Sequence, residues 1–172
     1  MKISKIEAER VEYKLIAENI IPVVESVVDL FSKTAQENGI ELEFISSEST
    51  IVCFTDKNLL REIMNNLVNN AIKFSEGGNV KIVIEKQEAI VRVDLIDQGI
   101  GIPKDKQDLI WEAFRQVSEG LSRGFEGTGL GLTISKKYAE LIKSKMYFKS
   151  EEGIGTTFTI ELPLSIEEAN QP

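Results

Sequence analysis

Apolar and polar positions along the chain alternate between two periods, close to 3.6 and close to 2, so helices and strands interleave. Residues 2–18 are charged and helix-prone, with apolar side chains only at Ile3, Ile6, Ala8, Val11, Tyr13 and Leu15. They read as the end of a longer helix and a linker. A helix is expected after Pro22, with Val23, Val24, Val27, Val28, Leu30 and Phe31 as its apolar face and Gly39 as its stop. Residues 40–44 alternate and predict a half-buried strand, and residues 51–54 predict a second, short one. Asp56 is a good N-cap for a long helix running to about Phe74 and ended by Gly77-Gly78. Two alternating strands follow at 80–85 and 90–96, joined by a tight polar turn.

The second half predicts a glycine loop, a short helix after Pro103, a helix over 128–143 and a final hairpin from 145–150 and 156–162. Residues 117–126 carry no period. The pattern predicts an α+β fold, a two-layer α/β sandwich with a mixed, mostly antiparallel sheet and helices packed on one face. The expected organisation is a helix end and linker over 1–18, one domain over 19–164 and a polar tail over 165–172.

A chain of 172 residues suits one domain, and its net charge of -8 repels phosphate backbones, which argues against a general nucleic-acid binder. One local site can still outweigh a diffuse negative field. The single cysteine, Cys53, lies in an apolar run and reads as a buried thiol, which fits a reducing cytoplasm. No apolar run approaches the roughly 20 residues of a membrane helix, so no direct membrane contact is expected. Histidine is absent, which removes imidazole chemistry from the chain itself.

Three constellations carry candidate chemistry. On the helix after Asp56, Asn66, Asn70 and Lys73 fall within an arc of ~60° at ~100° per residue, beside the apolar sector of Leu60, Ile63, Met64, Leu67, Ala71 and Phe74. The run Asn65-Asn66-Leu67-Val68-Asn69-Asn70 is costly inside a helix. It is either a tolerated solvated face or a ladder in which Asn70 offers a neutral oxygen to Mg²⁺ and Lys73 meets phosphate. Asp97-Gln98-Gly99-Ile100-Gly101-Ile102-Pro103 follows an apolar strand. Its glycines allow a planar ligand to approach, and its carboxylate can accept from an exocyclic amine of the kind adenine presents. Taken alone, it is equally an ordinary Asp-containing turn. Gly127-Thr128-Gly129-Leu130-Gly131-Leu132 is spaced unlike a dinucleotide fingerprint or a P-loop. It opens a helix whose free N–H groups suit an anion. Glycines at both ends make 117–126 read as a flap.

Together these segments resemble the ATP-binding domains of the histidine kinase, gyrase and heat-shock chaperone (GHKL) superfamily. Asn66-Leu67-Val68-Asn69-Asn70-Ala71-Ile72-Lys73-Phe74 is similar to the N box and Asp97-Gln98-Gly99-Ile100-Gly101 to the first glycine box. Trp111-Glu112-Ala113-Phe114 resembles the F box, the run from Gly127 to Leu132 the second glycine box, and Gly153-Ile154-Gly155-Thr156-Thr157-Phe158 the closing glycine motif. The resemblance covers about 22–163 and implies a Bergerat-type fold binding ATP and Mg²⁺. It implies that Asn70 coordinates the metal, Asn66 lines the phosphates and Lys73 contacts them. Phe74 would pack by the adenine, Asp97 would bind its amino group, and Gly99, Gly101 and Ile102 would border the base. Phe114 would also border the nucleotide, with Gly127, Thr128, Gly129, Leu130 and Gly131 on the phosphates and 115–126 as the lid.

In the hydrolysing branch of that superfamily, a glutamate four residues before the metal-binding asparagine orients water. Here Asn66 stands there, and a carboxamide cannot accept a proton. The resemblance therefore implies a sensor kinase, possibly of the hybrid kind, over the alternatives of a GHKL ATPase or an anti-sigma serine kinase. Ser4-Lys5-Ile6-Glu7-Ala8-Glu9-Arg10 resembles the end of the dimerisation and phosphoacceptor module. The implied partners are that module and a downstream response-regulator receiver. Two departures stand out: Arg115-Gln116 after Phe114, and no glycine pair near 141–146.

Overall fold

The computed structural model describes residues 11–75, 77–112, 129–165 and 167. Strands β1 (Ile16–Asn19) and β3 (Val52–Thr55) form a small antiparallel pair. Strands β2 (Ile40–Ser46), β4 (Gly78–Lys86), β5 (Ile90–Asp97), β6 (Lys145–Glu151) and β7 (Gly155–Pro163) form the main sheet in the order β2-β4-β5-β7-β6. Among the described residues only β2 and β4 pair in parallel. Helices α1 (Ile21–Glu37), α2 (Lys57–Phe74) and α3 (Gly131–Leu141) pack together with the sheet around one core, and a 3₁₀-helix spans Lys104–Trp111. This is the expected two-layer α+β sandwich.

The period-2 strands face the helices with Val80, Ile82, Ile84, Val91, Val93, Leu95, Ile160 and Leu162, all nearly inaccessible. Leu60, Ile63, Met64 and Leu67 of α2 meet them from above. Asp56 caps α2 as expected, its Oδ1 accepting from the N–H groups of Asn58 (2.9 Å) and Leu59 (3.0 Å). Its Oδ2 also accepts from the N–H of Lys14 at 2.8 Å.

That last bond marks a difference from the helix-prone reading of 2–18. Ile16–Asn19 is a strand whose register runs from Ile16↔Thr55 to Asn19↔Val52. Val11 and Leu15 pack against the core. Strand pairing is a contact between distant residues, and a charged local pattern does not announce it. The helix expected from residue 128 begins at Gly131, because Gly129 has φ +66 and lies outside helical geometry. At its other end, Lys143 takes φ +58. The N–H groups of Lys143 and Ser144 return to the carbonyls of Glu140 (3.1 Å) and Ala139 (2.8 Å). A lysine thus fills the left-handed position that the missing glycine pair would have held.

Candidate functional site

Helix α2 runs between the two glycine loops. Toward its middle, Asn66 Nδ2 donates to the carbonyl of Gly131 (3.3 Å) and to Ser135 Oγ (3.1 Å), so the start of α3 is fastened to it. At its C-terminal end, the carbonyl of Phe74 accepts from the N–H of Ile100 at 3.1 Å. Eight residues separate Asn66 from Phe74, roughly 12 Å of helix axis at 1.5 Å per residue. The half-buried Asn70 and Lys73 lie on this stretch. Lys73 Nζ sits 5.0 Å from the centre of the Phe74 ring, within cation–π range.

Asp97 ends β5 opposite Val80 and Thr156. Its Oδ1 accepts from the N–H groups of Gly99 (2.9 Å) and Thr156 (3.2 Å). Oδ2 receives no hydrogen bond from the described residues and remains an acceptor. Burial pushes the carboxyl above the ordinary aspartate range, and the two backbone N–H groups offset part of that rise.

The glycines of this loop have a use that their spacing did not disclose. A Cβ on Gly99 would strike the carbonyl oxygen of Phe74, and one on Gly101 would strike that of Glu151. One on Gly155 would strike the carbonyl oxygen of Asp97. Whatever room they leave a ligand, these glycines first let the loop close against α2 and the β6–β7 turn. Gly153 N–H completes the closure by donating to the carbonyl of Ile100 at 2.8 Å.

Ser150, which no motif singled out, sits where these strands meet. Its Oγ accepts from the N–H of Ile102 (2.8 Å), donates to the carbonyl of Gly155 (3.0 Å) and lies 2.8 Å from Thr156 Oγ1. Gln107 Nε2 bridges the carbonyls of Ile102 (2.9 Å) and Ser150 (3.2 Å). A lone serine in an alternating strand offers no sequence signal for such a role.

In the second loop, Gly129 turns the chain, Leu130 packs on the core, and Gly131 opens α3 over the Asn66 carboxamide. Among the described residues no side chain caps α3, so its first-turn N–H groups point outward with the positive end of the helix dipole. Trp111 joins Phe148 and Phe158 in an aromatic cluster, with centroids 5.7 and 6.4 Å away. Its carbonyl accepts from Thr133 Oγ1 at 3.0 Å, and Lys136 Nζ lies 5.0 Å from its ring centre. Phe114, Gly127, Thr128, the lid segment 115–126 and the phosphoacceptor-like segment 4–10 lie outside the described residues.

A helix bearing asparagines, flanked by a carboxylate–glycine loop and a helix-opening glycine loop, defines a class of ATPase and kinase domains. The chain belongs to the family described as histidine kinase-, DNA gyrase B- and HSP90-like ATPase, which matches residues 55–166. Within it, similar proteins include histidine kinases. The BarA signal transduction histidine-protein kinase of Escherichia coli is 34% identical over 169 residues, 95% of this chain and 18% of that protein. Hybrid signal transduction histidine kinase B of Dictyostelium discoideum is 31% identical over 95% of this chain and 9% of its own length. Full-length ShkA, solved with AMPPNP, superposes with a TM-score of 0.81 at 28% identity, covering 94% of this chain and 34% of its own. The nucleotide-free catalytic domain of ThkA gives 0.76 at 26% identity, covering 88% and 98%. This is a histidine kinase ATP-binding catalytic domain of two-component signalling, and it spans less than a fifth of those two curated relatives.

Proposed function

We propose that this domain binds Mg-ATP and donates the γ-phosphoryl group to a histidine on a separate dimerisation module. The observation that carries this reading is the bridging of both glycine loops by α2, through Asn66–Gly131 at one end and Phe74–Ile100 at the other. Adenine would lie at the Asp97 end, its amino group donating to Oδ2. The triphosphate would run along Lys73, Asn70 and Asn66 toward the N–H groups that open α3, with Gly127 and Thr128 completing that loop. Phe74, Gly99, Gly101, Ile102 and Phe114 would enclose the base.

Among the described residues no three His, Cys, Asp or Glu side chains converge. The donor set here is one amide oxygen, that of Asn70. This fits Mg²⁺, which prefers a few protein oxygens completed by phosphate oxygens and water. When bound, the ion neutralises the phosphate charge. In transfer, an acceptor imidazole nitrogen attacks the γ-phosphorus in line, the bond to the bridging β–γ oxygen breaks, and ADP leaves. Residues 1–18 would carry the end of the acceptor module's helix and a linker, whose last residues enter the strand Ile16–Asn19 on the domain; 19–164 would form the catalytic unit, and 165–172 would be a tail. A receiver domain would take the phosphoryl group next. No helix among the described residues is long and apolar enough to cross a membrane. We place the domain in the cytoplasm, where ATP is available.

The test mixes the chain with Mg-ATP and a supplied acceptor module. Phosphohistidine should appear on the module in trans and vanish with Asn70→Asp, whose extra charge repels phosphate. Steady phosphate release by the chain alone, at rates typical of enzymes, would favour the ATPase reading.

A further inference from the structure

We infer that Ser150 is a positioning residue for nucleobase selection, acting on Asp97 and Ile102 without touching the nucleotide. The inference rests on the ATP reading above.

Its hydroxyl has one proton and two lone pairs, and the geometry accounts for all three. Ser150 Oγ–H donates to the carbonyl of Gly155 at 3.0 Å, and Oγ accepts from the N–H of Ile102 at 2.8 Å. Thr156 Oγ1, 2.8 Å away, can then fill the remaining lone pair as donor. That saturated node ties the β6–β7 hairpin, where Ser150, Gly155 and Thr156 lie, to the distant loop of Ile102. Ile102 belongs to the loop expected to border the base. Thr156 donates its own N–H to Asp97 Oδ1 at 3.2 Å, and Gly155 packs directly on the Asp97 carbonyl. Ser150 therefore holds Thr156, one of the two N–H anchors of Oδ1, and Gly155 against the Asp97 carbonyl, while Gly99 supplies the other anchor from the loop that Ile102 continues.

Orientation matters here because base choice turns on one polar contact. A carboxylate oxygen aimed at the purine 6-position accepts from the amine of ATP and repels the carbonyl oxygen of ITP. A site built around such a contact discriminates strongly only while the acceptor is held in place. Without Ser150, the N–H of Ile102 and the hydroxyl of Thr156 lose a partner. The loop then relaxes, and Asp97 swings with it. The fold need not change, since the β6–β7 ladder from Lys145↔Glu161 to Glu151↔Gly155 does not depend on this hydroxyl.

The experiment measures equilibrium binding of Mg-ATP and Mg-ITP, with thermal unfolding, for the wild-type chain, Ser150→Ala, Ser150→Thr, Thr156→Val and Asp97→Asn. Ser150→Ala should weaken ATP by on the order of tenfold, the scale of one misplaced hydrogen bond, and leave ITP within about twofold. Ser150→Thr, which keeps the hydroxyl, should restore the ATP:ITP ratio. Thr156→Val, which retains the backbone donor to Asp97, should reproduce part of the loss and carries the test if Ser150→Ala does not fold. Equal weakening of both nucleotides, or no change in the ratio, would overturn the inference and leave Ser150 as a structural residue only. Asp97→Asn separates the two levels. If it leaves the ratio intact, the base-recognition reading itself fails. If it collapses the ratio while Ser150→Ala and Thr156→Val do not, only the positioning role fails.

Discussion

Gly101 and Gly39 adopt nearly the same left-handed backbone, φ +66 and φ +68, but in opposite surroundings. A Cβ on Gly39 would meet nothing within 4 Å, whereas on Gly101 it would collide with the Glu151 carbonyl. Replacing each by alanine separates backbone strain from close approach. Gly39→Ala should cost about 1 kcal/mol, the strain of a side chain in that region. Gly101→Ala carries the same strain and also forces the β6–β7 turn away from the loop. The turn is held there by Gly153 N–H on the Ile100 carbonyl and Ile102 N–H on Ser150 Oγ, both at 2.8 Å. At about 1 kcal/mol for each lost hydrogen bond, the total comes to about 3 kcal/mol. The difference of about 2 kcal/mol corresponds to ~4–8 °C in the unfolding midpoint of a chain this size. Thermal unfolding followed by circular dichroism reads it directly. If the two variants melt together, the glycine at 101 answers to conformation alone and the packing explanation is wrong.

Asp97→Asn should leave the folded chain at least as stable as wild type at neutral pH while weakening ATP binding. The asparagine oxygen can still accept from Gly99 and Thr156, but its Nδ2 would then face the amine of adenine. Because burial raises the Asp97 pKa above 3.8, its contribution to stability is complete below that value and is lost as pH rises through the raised one. The variant should therefore gain on wild type in urea midpoint between about pH 4 and pH 7, and a loss over that window contradicts the burial argument. Lys143→Gly should raise stability by about 0.5–1 kcal/mol by relieving a left-handed lysine, seen as a higher unfolding midpoint. Cys53, fully buried and with its thiol pushed up to about 12 by burial and then by Glu18, should resist alkylation at pH 8 in the native chain and react once unfolded. Its contribution to stability should hold up to the ordinary thiol value of 9.0 and be lost as pH rises from there toward 12.

The parts legible in the sequence were those written in local period. The Asp56 cap, the apolar stripe of α2 and the alternating pairs β4–β5 and β6–β7 all follow from residues near one another in the chain. The strand at Ile16–Asn19 did not, because its partner lies some 35 residues on and its charged neighbours mask the pairing. Gly99 and Gly101 were visible as glycines, but their reason was not: the atoms they avoid belong to Phe74 and Glu151. Ser150 was invisible for the same cause, since its bonds to Ile102 and Gln107 reach a loop that only the fold brings to the hairpin. Motif spacing locates residues that must be of one type; it says little about residues that hold them in place.

Asn66 shows how the two kinds of role can coincide in one side chain. Expected to line the phosphates, it also donates to the Gly131 carbonyl and to Ser135 Oγ, so the helix that opens the second glycine loop is docked on it. A glutamate there, as expected of the hydrolysing branch, would have no N–H to donate to the Gly131 carbonyl. Ser135 could turn its hydroxyl to donate, but the backbone carbonyl could not. An acidic side chain at 66 could not make the bond that the carboxamide donates to the Gly131 carbonyl. The carboxamide at 66 and the attachment of the helix that opens the second glycine loop are then one structural fact.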